Sequence, residues 1–175
     1  NLEYLAEILE DGAFTSGKAT TRMLADFAYL PHCMDVIEGG AMTTVQDYPG
    51  RTGHWDVGVP PSGPMDDASF RLANRLLGNP EGAPALEMTH AGPTLLFHCD
   101  TVVALTGARV EGDLPMDQPV AVKAGQTLRL RRIQGAGCRA YLAVLGGIEC
   151  PEYLGSRATF TLGGFGGPAG RALRA

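Results

Sequence analysis

Leu2, Leu5, Ile8 and Leu9 recur at helical spacing while Glu3, Glu7 and Glu10 take the opposite face. The pattern predicts an amphipathic helix over residues 2–11, closed by Asp11-Gly12. Thr20 or Thr21 can N-cap a second short helix, TRMLADFAYL, which Pro31 terminates. From Val36 onward the pattern becomes one of short apolar or alternating runs between Gly, Pro and Asp turns. A boundary is therefore expected near residues 31–36, with helical residues 1–33 ahead of a mainly β domain at 34–175. One helix interrupts that domain, SFRLANRLLGN. Phe70, Leu72, Ala73, Leu76 and Leu77 form its apolar stripe, Asp66 or Asp67 its N-cap, and Gly78-Asn79 its stop. Strands are predicted at 85–90, 94–99, 101–107, 118–125, 127–133 and 138–147. Short strands at such even spacing point to a barrel or sandwich rather than to βαβ units.

Composition narrows this picture. A chain of 175 residues with 45% hydrophobic content can bury a substantial core. The net charge of −5 and the lack of a basic tract argue against nucleic-acid binding, and Arg129, Arg131 and Arg132 in LRLRRIQ read as the solvated face of a strand. Cys33, Cys99, Cys138 and Cys150 show neither CxxC nor Cys/His ligand spacing, so reduced, mostly buried thiols of a cytosolic protein are expected. No run approaches the roughly 18 apolar residues that cross a bilayer, and residues 1–10 lack the apolar core of a signal peptide. Neither a membrane nor a nucleic acid is expected as a partner. A chain that starts at Asn1 and stops in RALRA reads as a piece of something larger.

The densest cluster of special residues is TTVQDYPGRTGHWDVGVPPSGPMD, Thr43 to Asp66. Pro60, Pro61 and Pro64 fix φ there while Gly58 and Gly63 permit close approach, so the loop is costly to order and is expected to hold something. Inside it sit Asp47, Arg51, His54, Trp55, Asp56, Ser62 and Asp66. Ser62 in PSGP lacks the GxSxG elbow of a hydrolase, and His32, His54, His90 and His98 form no recognisable triad or metal spacing. No metal site is expected. GGFGGPAG (163–170) is not followed by GK[ST] and is no P-loop. Several residues have two readings each. Asp66 is a helix cap or a site residue. Asp47 and Arg51 form an internal salt bridge or face a ligand. Glu87 in ALEMT is a buried anchor or a site residue. Arg157, with Ser156, is a second anion-clamp candidate. Tyr48 and Trp55 read as core or lid packing.

That long motif, followed by FRLANRLLGNPEGAPALEMTHAGPTLLF, GCRAYLAVLGGI and YLGSRATFTLGGFGGPAGRALRA, resembles the carboxyltransferase region of urea carboxylases. The region belongs to the allophanate hydrolase subunit 2 family, which includes the C subunit of bacterial 5-oxoprolinase. The resemblance runs from about Val36 to Ala175. NLEYLAEILEDGAFTSGKATTRMLADF resembles the last helices of a biotin carboxylase domain. The resemblance implies a cyclophilin-like β-barrel preceded by a short helical segment. Residues 1–33 would then be a carboxylase tail and 34–175 the first part of a carboxyltransferase domain.

The implied enzyme is a cytoplasmic biotin-dependent ligase. It would use ATP and Mg in a carboxylase domain outside this chain to carboxylate biotin on a carrier domain, then transfer the carboxyl group to urea or a related small amide. Allophanate hydrolase would be the pathway partner, and the chain alone would be inactive. The alternatives are a guanidine carboxylase or a component like the C subunit of 5-oxoprolinase, acting on a cyclic amide with a partner subunit. Removing a proton from an attacking amide nitrogen and gripping its carbonyl call for carboxylates and a cation. With the resemblance, Asp47, Asp56 and Asp66 become candidate acceptors or bases, Asp47 and Asp66 foremost, and Arg51 a candidate clamp. Ser62, the Gly63 N–H, Pro64 and Met65 would receive the biotin ureido group, and Glu87, Ser156 and Arg157 would complete the substrate wall.

Overall fold

The computed structural model describes residues 2–27, 29 and 32–175, and the chain divides into two compact units, Asn1–Cys33 and Met34–Ala175. In the first unit, α1 (Leu2–Glu10) follows the helical pattern. The Asp11 carboxylate then accepts the Ala13 N–H at 2.7 Å and starts a further short helix, α2 (Gly12–Thr15), where the sequence predicts only a stop. The second predicted helix is reduced to α3 (Met23–Asp26), because Phe27 takes an extended backbone, φ −78° and ψ 109°. Its predicted continuation through Ala28 and Leu30 to Pro31 lies outside the described residues. The Tyr4 ring packs edge-on against Phe27 and Tyr29, with centroids 5.8 and 5.2 Å away. Leu2, at the start of the apolar stripe, is 84% exposed.

In the second unit, β1 (Met34–Glu38) and β2 (Met42–Gln46) precede α4 (Asp67–Leu76). Seven strands follow: β3 (Ala85–Thr89), β4 (Thr94–Phe97), β5 (Thr101–Gly107), β6 (Val110–Gly112), β7 (Pro119–Val122), β8 (Thr127–Ile133) and β9 (Arg139–Val144). They pair antiparallel in two sheets, β1-β4-β8-β6 and β2-β3-β9-β5-β7. The mainly β class with a barrel-like shared interior is thus as expected. The sequence reading did not include β1, β2 or β6.

Period-two alternation decides which side chains meet. Leu86 and Met88 of β3, Val103 and Leu105 of β5, and Ala140 and Leu142 of β9 turn inward. They meet Leu95 and Phe97 of β4 and Leu128 and Leu130 of β8 in the main core. Arg129, Arg131 and Arg132 take the solvent side of β8, as predicted. The intervening residues of the five-stranded sheet face outward, toward α4. Phe70 and Ala73 of α4 close over Ala85, Tyr141 and Ala143 there, with Phe70 edge-on to Tyr141 at 5.8 Å. Fully burying a side chain the size of Phe70 stabilises by about 1.5–3 kcal/mol.

Two expectations fail. Of the four cysteines only Cys150 is buried; Cys33 and Cys138 are exposed, Cys138 because it lies in the turn before β9. Of the core and lid alternatives for Trp55 the core one fails: the residue stands on a 3-10 turn, Trp55–Val57, and is 71% exposed. Among the described residues no helix is long and apolar enough to cross a membrane.

Candidate functional site

The alternation that sends Leu86 and Met88 inward turns Glu87 to the outer face of β3. Register places it beside Thr44 of β2 and Tyr141 of β9. Glu87 is 7% exposed, and three donors meet its carboxylate. The Met65 N–H reaches Oε2 at 2.7 Å, the Tyr141 hydroxyl reaches Oε2 at 3.0 Å, and Arg139 Nη1 reaches Oε1 at 3.3 Å. Arg139 also donates to the Thr89 hydroxyl. A buried carboxylate is tolerated when it is satisfied in this way. Tyr141 in turn accepts the Asp66 N–H at 2.8 Å. Burial first, and the Glu87 charge after it, push the Tyr141 phenol well above its ordinary range and keep it protonated. Glu87, Met65 and Asp66 therefore come together. The sequence reading missed Tyr141 and Arg139.

Asp66 is the N-cap of α4: its carboxylate accepts the Ser69 N–H at 3.0 Å and the Ser69 hydroxyl at 2.6 Å. These bonds, the hydroxyl's first, hold its pKa below the usual carboxylate value. A carboxylate so depressed is a weak proton acceptor, which counts against Asp66 as general base.

A second node lies at the start of the loop. Asp47 accepts the Ser156 hydroxyl at 2.6 Å and the Arg157 N–H at 2.7 Å. Arg51 spans three carbonyls, donating from Nε to Tyr153 at 2.8 Å and from Nη2 to Ser156 at 3.3 Å and Ala158 at 2.9 Å. The Phe165 ring lies 4.9 Å from its guanidinium carbon. Gly166 makes room for this arrangement: a Cβ there would collide with the Ala158 carbonyl and lie 2.8 Å from Nη2. Desolvation lowers the Arg51 pKa, and the Asp47 charge opposes that shift.

Asp47, Arg51, Ser156 and Arg157 are thus brought together, in roles other than those expected. Arg51 is 1% exposed, so it braces the 153–158 segment and cannot clamp a ligand at the surface. Asp47 and Arg51 make no ion pair within the described residues; each hydrogen-bonds to that segment instead. The Arg157 guanidinium is likewise engaged, with the Cys150 carbonyl at 3.0 Å and Glu152 at 3.7 Å.

Gln46, another residue missed from sequence, joins the nodes. Its Nε2 donates to the Thr159 carbonyl at 3.3 Å and its Oε1 accepts the Gly63 N–H at 3.0 Å. The Gly63 N–H, expected to meet a ligand, is therefore occupied. Ser62 stands before it in left-handed backbone, φ 56°, and is half-buried. Pro64 is half-buried and Met65 is 73% exposed. Asp56 is exposed on the 3-10 turn. Among the described residues no group of His, Cys, Asp and Glu could hold a metal ion. Surface depressions of the second unit lie elsewhere, among them one of about 570 Å³ around Arg109–Asp117 and one of about 260 Å³ beneath residues 168–174.

Residues 57–175 match the family described as carboxyltransferase domain, subdomain A and B. Across 99% of its length the chain is 48% identical to urea amidolyase of Saccharomyces cerevisiae, of which it covers 10%. It is 44% identical to the 5-oxoprolinase C subunit of Escherichia coli over 81% of its length, covering 46% of that protein. The crystal structure of Kluyveromyces lactis urea carboxylase superposes with a TM-score of 0.87 at 49% identity, over 99% of this chain and 16% of that one.

Proposed function

This chain belongs to the carboxyltransferase domain family of subdomains A and B, and on that premise we propose that it is the first part of the carboxyl-transfer domain of a biotin-dependent urea carboxylase. The observation that carries the reading is the reach of the similarity. Likeness to urea amidolyase extends over 99% of the chain, whereas likeness to the bacterial 5-oxoprolinase component extends over 81%. The Met34–Ala175 unit alone is of that smaller size. The helical first unit is then the tail of a biotin carboxylase domain, and a fused carboxylase and transferase is what a urea carboxylase requires.

Within that reading the chain contributes no ATP or Mg site; both belong to the carboxylase domain, in a cytoplasmic enzyme whose product passes to an allophanate hydrolase. Biotin, on a carrier domain of the same enzyme, supplies the activated carboxyl group when bound. Of the two groups expected to receive a ureido group, the Gly63 N–H is held by Gln46, which leaves the Ser62 hydroxyl as the candidate. The chain's own residues bind and orient. Asp47, Arg51, Ser156 and Arg157 fix the base of the loop, and Glu87 fixes Met65. Ser62, Pro64, Met65 and the anionic Asp66 form the wall toward the substrate. Holding two reactants at contact in one orientation is the main lever for such a transfer, since the chemistry itself needs a single proton removed.

The test is ATP hydrolysis by the full-length protein with urea, guanidine and 5-oxoproline side by side. Stimulation by urea supports the reading, stimulation by guanidine alone changes the substrate within it, and stimulation by 5-oxoproline alone refutes it. Asp66→Asn in the same assay separates charge from capping, since Asn also caps helices well; urea-dependent turnover identical to the parent's would confine Asp66 to its cap.

A further inference from the structure

Two consecutive peptide N–H groups of the loop, those of Met65 and Asp66, point to the same side. Met65 donates to Glu87 and Asp66 to the Tyr141 hydroxyl, both on the outer face of the five-stranded sheet. A peptide unit is planar, and in the trans form its carbonyl points opposite to its N–H. The cis bond described in this chain is Tyr48–Pro49, so the peptides of residues 64–66 are trans. The carbonyls of Pro64 and Met65 must therefore face away from Glu87 and Tyr141, along a stretch that is half-buried at Pro64 and exposed at Met65 and Asp66. Neither carbonyl accepts a hydrogen bond from another described residue.

Resting on the function proposed above, the geometry points to the Pro64 and Met65 carbonyls as a paired acceptor for the N–H groups of a small planar urea or guanidinium, with Tyr141 and Glu87 as the positioning residues that turn the pair outward. The chemistry selects the ligand class. Two adjacent carbonyls accept and cannot donate, so they attract a molecule with N–H groups along one edge and offer nothing to a carboxylate. Asp66 is held anionic beside them by Ser69 and adds negative potential. Tyr141 serves by accepting on one side and donating on the other; a phenyl ring in its place does neither. Because the phenol and Glu87 act from beneath the loop, they touch no reacting atom.

The experiment uses the full-length enzyme and steady-state ATP turnover driven by urea, by guanidinium chloride and by N,N′-dimethylurea. Tyr141→Phe keeps the ring edge-on to Phe70 and removes only the hydroxyl. KM for urea or guanidinium is expected to rise about fivefold, the equivalent of one hydrogen bond, while kcat stays within about twofold. The preference for urea over N,N′-dimethylurea, which has lost two N–H donors, is expected to shrink by a similar factor. A purely structural tyrosine would lower the active fraction and leave both KM and that preference unchanged, and this result overturns the inference. If Tyr141→Phe fails to fold, Glu87→Gln takes its place in the same two measurements, and an unchanged KM and preference there overturn the inference equally. If neither urea nor guanidinium stimulates the unaltered enzyme, the proposed function and this inference fall together. Stimulation of the parent with unchanged KM in the variants overturns the inference alone.

Discussion

Replacing Arg51 by methionine tests whether this residue is a brace. Its guanidinium donates three hydrogen bonds to the carbonyls of Tyr153, Ser156 and Ala158. A hydrogen bond from a charged donor contributes about 1.5–3 kcal/mol net, so the three together are worth roughly 5–8 kcal/mol. Opposing this, Nη1 is buried without a partner among the described residues, a cost of about 1–3 kcal/mol that methionine would relieve. Methionine also fills much of the same volume against Phe165. The difference, about 2–7 kcal/mol of lost stability, corresponds to a fall in melting temperature on the order of 5–25 °C for a chain of this size. Arg51→Lys should fall between, since one ammonium cannot span three carbonyls in a fixed plane. Differential scanning calorimetry of this chain and its two variants reads the effect. An Arg51→Met protein melting within about 2 °C of the parent would refute the brace and return Arg51 to the ligand-facing residues.

Two further outcomes follow from the same geometry. Asp66→Ala should cost about 1 kcal/mol through the lost cap of α4. Because Ser69 depresses the Asp66 pKa in the folded state, that stabilisation is present above the ordinary carboxylate value and is lost as pH falls through the folded-state value. The melting gap between parent and variant should thus narrow below about pH 4, and a gap constant in pH would contradict the charged cap. Iodoacetamide at pH 8 should alkylate the exposed Cys138 before Cys150, whose burial raises its thiol pKa; equal labelling by peptide mass spectrometry would contradict the burial.

The elements written in apolar periodicity were legible in the sequence, and those written in polar residues were not. The stripe through Phe70, Ala73 and Leu77 and the runs at 85–90 and 101–107 carry their own signal. β2, by contrast, is MTTVQ, and it buries Thr43, Thr44 and Gln46 along with Val45. No hydrophobicity pattern reports a strand whose buried face is polar. Register hid the partners of the site in the same way. Glu87 stood out as a charge in an apolar strand, but Tyr141 lies in RAYLAV, which reads as core throughout, and nothing short of pairing β3 with β9 sets the two side by side. A sequence signal was present all the same: a carboxylate in an apolar strand needs donors, and a tyrosine of matching alternation on another strand is a natural one.

The composition of the loop follows from how its backbone is satisfied. From Pro60 to Asp66 three of seven residues are proline and bring no N–H. Of the four that do, three point into the sheet: Gly63 to Gln46, Met65 to Glu87 and Asp66 to Tyr141. Gly63 also lets two segments touch, since a Cβ there would lie 3.1 Å from the Pro49 carbonyl and 3.3 Å from that of Asp47. Prolines that delete donors and sheet side chains that absorb the rest leave an outer edge with carbonyls and almost no N–H groups. A loop of ordinary composition presents both kinds of group and binds water indiscriminately. One with its donors removed is selective for donors.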